Sequence, residues 1–114
     1  MLVMIYATFP DRASALAMGR QMVEARLAGC VNVLPSMTSV YMWNGKLETV
    51  DEAVLIAKLP AAAQERAVGF IKNHHSYETP AILAVPVAGG DADYIDWVMA
   101  GVDCGSEDGR PGKL

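Results

Sequence analysis

Apolar runs alternate with helical patterns along this chain, and each run predicts a strand. Residues 2–7 are apolar without alternation, which is typical of a central strand covered on both faces. Residues 52–59 have a similar apolar centre, and residues 82–87 form the last clear run. Together with the first arm of a hairpin over residues 30–43, these runs predict four strands.

Two longer segments carry apolar residues at helical spacing. Residues 12–28 follow the helix-start residue Asp11 and predict a helix with an apolar stripe at Leu16, Gly19, Val23 and Leu27. A second helix is predicted over residues 61–75, with Ala63, Ala67, Phe70, Ile71 and His74 at helical spacing. A short third helix, capped by Asp91 or Asp93, is predicted from the spacing of Tyr94, Trp97 and Val98.

Between the first two helices, the chain predicts a long hairpin. We expect Gly29 to end the first helix in the left-handed region, where glycine avoids a Cβ clash. Pro35 cannot donate to a ladder and indicates a bend, a bulge or an edge. Asn44-Gly45 predicts a type I′ turn, which fixes the strand register. The predicted cross-strand pairs are Trp43 with Lys46, Met42 with Leu47, Tyr41 with Glu48 and Val40 with Thr49.

The order strand, helix, strand, strand, helix, strand predicts an α+β domain with a ferredoxin-like split βαβ fold. Two helices would cover one face of a four-stranded antiparallel sheet, with the long hairpin and the extra C-terminal helix added to it. The bare face would then need another subunit, a further element or a ligand to cover it. We expect this domain over residues 1–102 and a disordered tail over residues 103–114, which are polar and rich in glycine.

Several short motifs occur together in and after the hairpin. They are Arg26-Leu27-Ala28, Cys30-Val31-Asn32, Thr38-Ser39-Val40-Tyr41, Trp43-Asn44-Gly45-Lys46, and His75, Tyr77 and Pro80 in a His-x-Tyr-x-x-Pro pattern. With these motifs the chain resembles the CutA family, the divalent-cation tolerance proteins, from Met4 to about Met99. The resemblance implies a ferredoxin-like fold, a homotrimer and a pocket between subunits near these motifs.

Composition limits the class of partner. The net charge of −4 argues against nucleic-acid binding, which requires a basic surface. No apolar run approaches the length of a membrane span, and no signal peptide is recognisable, so we expect a cytoplasmic protein that does not bind membranes. Hydrophobic residues make up 53% of the chain and charged residues 19%, a surplus that predicts apolar surface for a partner.

Three side chains are candidate ligands for a divalent metal ion such as Cu or Zn: Cys30, His74 and His75. Each also has a structural interpretation, since a buried cysteine fills apolar space and a histidine can cap a helix end. The resemblance implies copper ligands at Cys30 and His74, but a third family ligand is replaced by Ala7, and Cys104 in the tail does not substitute for it. We expect Cys30 and His74 on one side of the sheet, with weak, exchangeable binding at most.

Aromatic and charged residues form a second candidate site. We predict a polar, aromatic-walled cleft between subunits, lined by Tyr41, Trp43, Lys46, Glu48, Tyr77 and Glu78. The same aromatic residues would also suit packing at a subunit interface, where Tyr and Trp are enriched.

The resemblance to the CutA family implies a homotrimeric protein of divalent-cation tolerance that binds copper or a similar ion, and we expect it to be non-enzymatic. Two alternatives remain open: a PII-like sensor with a small ligand in the cleft between subunits, and a structural trimer that anchors a partner. The chain has no Ser-His-Asp order, phosphate loop or H-E-x-x-H motif, so an enzyme is the least favoured class.

Overall fold

The computed structural model describes residues 1–103. The strands are β1 (Leu2–Phe9), β2 (Cys30–Trp43), β3 (Lys46–Pro60) and β4 (Ile82–Pro86). They form one antiparallel sheet in the order β2-β3-β1-β4. The helices are α1 (Arg12–Glu24), α2 (Gln64–His74) and α3 (Ala92–Ala100), and a 3-10 turn at Ala61–Ala63 precedes α2. None of these helices has the length and hydropathy to cross a membrane. The predicted ferredoxin-like α+β fold is confirmed, and the predicted tail lies almost wholly outside the described residues.

The hairpin between β2 and β3 has the predicted register. Asn44 and Gly45 have φ values of 50° and 78°, and Trp43 pairs with Lys46 across the turn. The register shifts between Leu34 and Met37, so the irregularity predicted at Pro35 is confirmed. This shift preserves an extended strand on both sides of the proline, which cannot donate to the ladder.

The far half of this hairpin projects beyond the sheet. β1 pairs with β3 only between Ala53 and Pro60, so residues 37–43 and 46–52 pair only with each other within the described chain. We call these two segments the ribbon. At ~3.3 Å per residue the ribbon extends roughly 23 Å, which explains the elongated overall dimensions. The molecule measures 51 × 27 × 22 Å.

The core lies between one face of the sheet and helices α1 and α2. Alternate residues of the central strands are buried there: Val3, Ile5, Ala7, Phe9, Ala53, Leu55, Ala57 and Leu59. The side of α1 that faces them consists of Ala15, Met18, Gly19 and Met22. The predicted stripe was wrong at Val23, which is 41% exposed. Ala15, Met18 and Met22 form an equally well spaced stripe on α1. The close approach of Gly19 to Val31 and Leu55 turns this stripe toward the sheet.

The end of α1 differs from the prediction. The helix ends at Glu24, and Arg26, with φ 60°, is the residue in the left-handed region, whereas Gly29 does not have a positive φ. Gly29 is required for space, because a Cβ there would lie 2.1 Å from the carbonyl oxygen of Val98 in α3. The sequence indicated that a glycine is required at position 29. The reason is a close contact with α3, which the local sequence pattern cannot show.

Gly29→Ala should therefore lower the free energy of unfolding by about 1–3 kcal/mol, the usual cost of overpacking, because the opposing atom belongs to the backbone of α3. Gly69→Ala is the matched control. A Cβ at Gly69 meets nothing within 4 Å, and alanine favours a helix by roughly 1 kcal/mol, so this variant should be neutral or stabilised. Urea unfolding at one fixed protein concentration measures both. Equal effects would show that α3 does not pack against Gly29 in solution.

Candidate functional site

A cleft of about 770 Å³ lies between the ribbon and the segment that joins α2 to β4. Its size falls within the usual range for small-molecule sites, about 300–1,000 Å³. The predicted cleft residues that line it are Tyr41, Trp43, Glu48, Tyr77 and Glu78. Lys46 pairs with Trp43 at the tip of the ribbon but is not part of the lining.

Strand alternation brings the ribbon side chains to this cleft. Ile5 and Ala7 point into the core, so Tyr6 and Thr8 of β1 point to the face of the sheet that α1 and α2 leave uncovered. Both residues line the cleft, together with alternate residues of the ribbon. The Tyr6 hydroxyl contacts the Met37 sulfur at 3.4 Å, which ties the base of the ribbon to β1.

His75 fastens the α2–β4 segment to β1. Its Nδ1 accepts the backbone N–H of Tyr77 at 3.0 Å, so its Nε2 carries the proton and donates to the Thr8 carbonyl oxygen at 2.7 Å. The ring also stacks on Phe9, with centroids 4.3 Å apart. Both nitrogens of His75 are therefore occupied, and the histidine positions the next residues of the segment instead of presenting a free metal ligand.

Tyr77 connects this segment to β3 across the cleft. Its hydroxyl donates to a carboxylate oxygen of Glu52 at 3.0 Å. Burial, followed by the hydrogen bond and the negative charge of Glu52, raises the pKa of Tyr77 to about 12. The phenol consequently stays protonated well above neutral pH, and its hydrogen bond holds the Glu52 carboxylate in one orientation.

The structure does not bring Cys30 near the histidines. Val31 packs against the core, so the preceding Cys30 lies on the opposite face, where it pairs with Lys58 and, one strand further, Met4. His75 contacts β1 at Thr8, four residues from Met4, which corresponds to about 13 Å along the strand. The ligands of one ion approach within roughly 4 Å of each other. The prediction that Cys30 and His74 share one side of the sheet was wrong, because Val31 and not Cys30 is the inward residue.

His74 lies at the exposed end of α2 and not on its core side. Its Nδ1 is 2.8 Å from the Phe70 carbonyl oxygen one turn earlier, and its ring stacks on Phe70 with centroids 4.3 Å apart. These contacts orient the ring along its own helix and not toward the sheet. Within the described residues, no group of three or more His, Cys, Asp or Glu side chains is arranged to hold a metal ion. Cys104 lies outside those residues.

Comparison with known proteins identifies the family. The family model described as CutA1 divalent ion tolerance protein matches residues 3–101. The chain belongs to the CutA family. The divalent-cation tolerance protein CutA of Pectobacterium atrosepticum is 41% identical over 98 residues, which cover 86% of this chain and 89% of that protein. CutA of Yersinia pestis is 42% identical, with 86% and 82% covered.

Solved CutA structures share the fold. The Thermus thermophilus protein superposes with a TM-score of 0.85 at 33% identity, covering 90% of this chain and 99% of that one. CutA of Xylella fastidiosa gives 0.86 at 36% identity, covering 90% and 98%. A third structure, at 0.83 and 33% identity over 86% and 95% of the chains, is named the periplasmic divalent cation tolerance protein of Archaeoglobus fulgidus.

Sequence reasoning missed Glu52, Tyr6 and Thr8, which line the cleft in this CutA chain. A usable signal existed for Glu52. The register set by the turn places Glu48 beside Tyr41, and strand alternation puts Glu52 on the same face four residues later. The contribution of β1 had no such signal, because it depends on the pairing of β1 with β3 and on the path of the α2–β4 segment.

Tyr77→Phe should lower the free energy of unfolding at neutral pH by about 1 kcal/mol, since it removes the bond to Glu52. The difference from the parent should stay constant below about pH 10 and shrink between about pH 10 and 12. In that window the unfolded tyrosine loses its proton while the folded one keeps it, so proton release favours unfolding of the parent. Urea unfolding at several pH values measures the effect, and Tyr94→Phe is the comparison, since it removes an exposed hydroxyl that accepts from Lys58 at 2.9 Å. A difference that persists unchanged to pH 12 would contradict the prediction.

Proposed function

We propose that this protein is a homotrimeric, non-enzymatic agent of divalent-cation tolerance that binds copper or a similar divalent ion reversibly in the cytoplasm. Membership of the CutA family supports the link to divalent cations. The proposed homotrimer rests on one observation, the exposed apolar ribbon. The location in the cytoplasm is itself a proposal, because the relative from Archaeoglobus fulgidus is named as periplasmic.

The ribbon presents apolar side chains that the single chain does not bury. Val40, Met42 and Leu47 are 62%, 63% and 69% exposed, and the register places them on one face. A two-stranded ribbon is at best marginally stable alone in water, and contiguous exposed apolar residues mark protein interfaces. Further copies of the chain would cover this face and support the ribbon, which accounts for its length.

His74 is the candidate ligand with the most suitable environment for a metal ion. Its Nδ1 donates to the Phe70 carbonyl oxygen, an arrangement that orients metal-binding histidines, and its ring is exposed. The three candidates together do not form a closed site within one chain, because Cys30 is distant and both nitrogens of His75 are occupied. A single imidazole gives weak, exchangeable binding, which is consistent with tolerance of a varying ion concentration.

The chemistry of the cleft favours binding over catalysis. A general acid or base works best with a pKa near the operating pH, whereas the pKa of Tyr77 is raised to about 12. The neighbouring His75 uses one nitrogen as a donor and the other as an acceptor within the fold. These two groups therefore hold the segment in place, and the described residues show no activated nucleophile beside them.

The cleft also supports a second candidate function, a PII-like sensor or binding module for a small ligand. Its volume and its aromatic residues suit a molecule larger than a metal ion. A structural trimer that anchors another protein would use the same assembly without a ligand in the cleft. Ligand binding to the purified protein separates these two alternatives.

Val40→Glu should disrupt the trimer, because three buried carboxylates would be brought into an apolar contact. Sedimentation velocity at micromolar concentration should show a trimer for the parent and a smaller species for the variant. Val23→Glu is the matched control, since Val23 is an exposed valine on α1, away from the ribbon, and it should remain trimeric. A monomeric parent protein would contradict the proposed assembly.

Titration calorimetry with Cu²⁺ and Zn²⁺ tests the metal proposal. The parent and Cys30→Ser should bind weakly and equally, whereas His74→Ala should lose the binding. Affinity should fall as the pH is lowered, because a ligating imidazole must be neutral. Equal affinities in the parent and His74→Ala, or a loss in Cys30→Ser, would place the metal elsewhere.

A further inference from the structure

The residues of this chain that line the cleft carry net negative charge, and Lys46 lies next to them at the tip of the ribbon. Glu48, Glu52 and Glu78 line the cleft, and its lining within the described chain includes no lysine, arginine or histidine. The Tyr77 hydroxyl donates to Glu52 and keeps its own proton, so it does not cancel the charge of that carboxylate. A concave site lined by one sign of charge concentrates ligands of the opposite sign. The cleft therefore favours a cation and disfavours a nucleotide or another anion.

The arrangement of these carboxylates does not suit one metal ion. Within the described residues, no set of three acidic, histidine or cysteine side chains is close enough to coordinate an ion together. A hard divalent ion needs about six oxygen ligands at roughly 2.0–2.6 Å. The cleft instead distributes its carboxylates around about 770 Å³. Separated negative charges in a large volume match a ligand whose positive charges are also separated.

Aromatic rings occupy the space between the charges. Tyr41, Trp43 and Tyr77 line the same cleft, and Tyr41 and Trp43 are exposed on the ribbon. Ammonium groups are attracted to aromatic faces, and methylene chains pack against them while their charged ends remain solvated. The hydroxyls of Ser39 and Thr79 add hydrogen-bond acceptors to the lining. This combination recognises a flexible organic cation better than a compact inorganic one.

We propose that the cleft binds an extended aliphatic amine with two or more ammonium groups, that is, a diamine or polyamine. The ammonium groups would lie near Glu48, Glu52 and Glu78, and the methylene segments between them would lie against the aromatic rings. This proposal is independent of metal binding at His74, because it uses different residues on a different surface.

Titration calorimetry with spermidine tests the proposal on the full-length protein at low and at moderate salt. Spermidine should bind at least tenfold more tightly than butylamine, which has the methylenes but only one charge. Glu52→Gln and Glu78→Gln should each weaken binding about 3- to 10-fold. The Glu52→Gln side chain still offers an oxygen to the Tyr77 hydroxyl, so this variant should keep the fold, and an unchanged thermal melt checks it.

Asp96→Asn is the matched control, since Asp96 is an exposed carboxylate on α3 outside the cleft. It removes the same charge and should leave spermidine affinity unchanged. Trp43→Leu should also weaken binding, because it removes an aromatic face but no charge.

Equal weakening by Asp96→Asn, equal binding of butylamine, or displacement of spermidine by equimolar Mg²⁺ would overturn the proposal. His74→Ala should bind spermidine normally, so a failure of the metal proposal and a failure of this one are distinguishable.

Discussion

The tight turn at Asn44-Gly45 is the constraint on which both surfaces of the ribbon depend. Positive φ at both residues fixes the pairing of β2 with β3, and the alternation of side chains then follows along both strands. One face receives the apolar side chains of Val40 and Met42, and the other receives Tyr41. A slip of one residue would exchange the two faces, so the same turn determines which side chains the ribbon exposes and which it directs to the cleft.

The opposite wall of the cleft depends on His75. By bonding to the Thr8 carbonyl oxygen and to the Tyr77 N–H, this histidine fixes the path of the chain as it leaves α2. Tyr77 then reaches Glu52 on β3. A residue type that suggested a metal ligand is thus used to hold two elements together, and the carboxylate and the phenol meet across the cleft as a result.

The groups that are proposed to bind cations are separated in space in this molecule. The exposed His74 imidazole lies at the end of α2, whereas the carboxylates and aromatic rings face the cleft on the side of the sheet that α1 and α2 leave uncovered. Cys30 lies at yet another position, beside Lys58 near the opposite end of the sheet. If cations bind as proposed, they would do so through separate, open groups, which favours rapid exchange over permanent retention.

The sequence by itself determined the fold class, the hairpin register and most of the ribbon side of the cleft, because strand alternation and a two-residue turn are local properties. The family motifs indicated the same fold. Only the tertiary structure decided that Gly29 makes room for α3, that Cys30 faces away from the core, and that Glu52 meets Tyr77. Those facts depend on how helices and distant strands pack, and packing is a relation between segments that no local pattern contains.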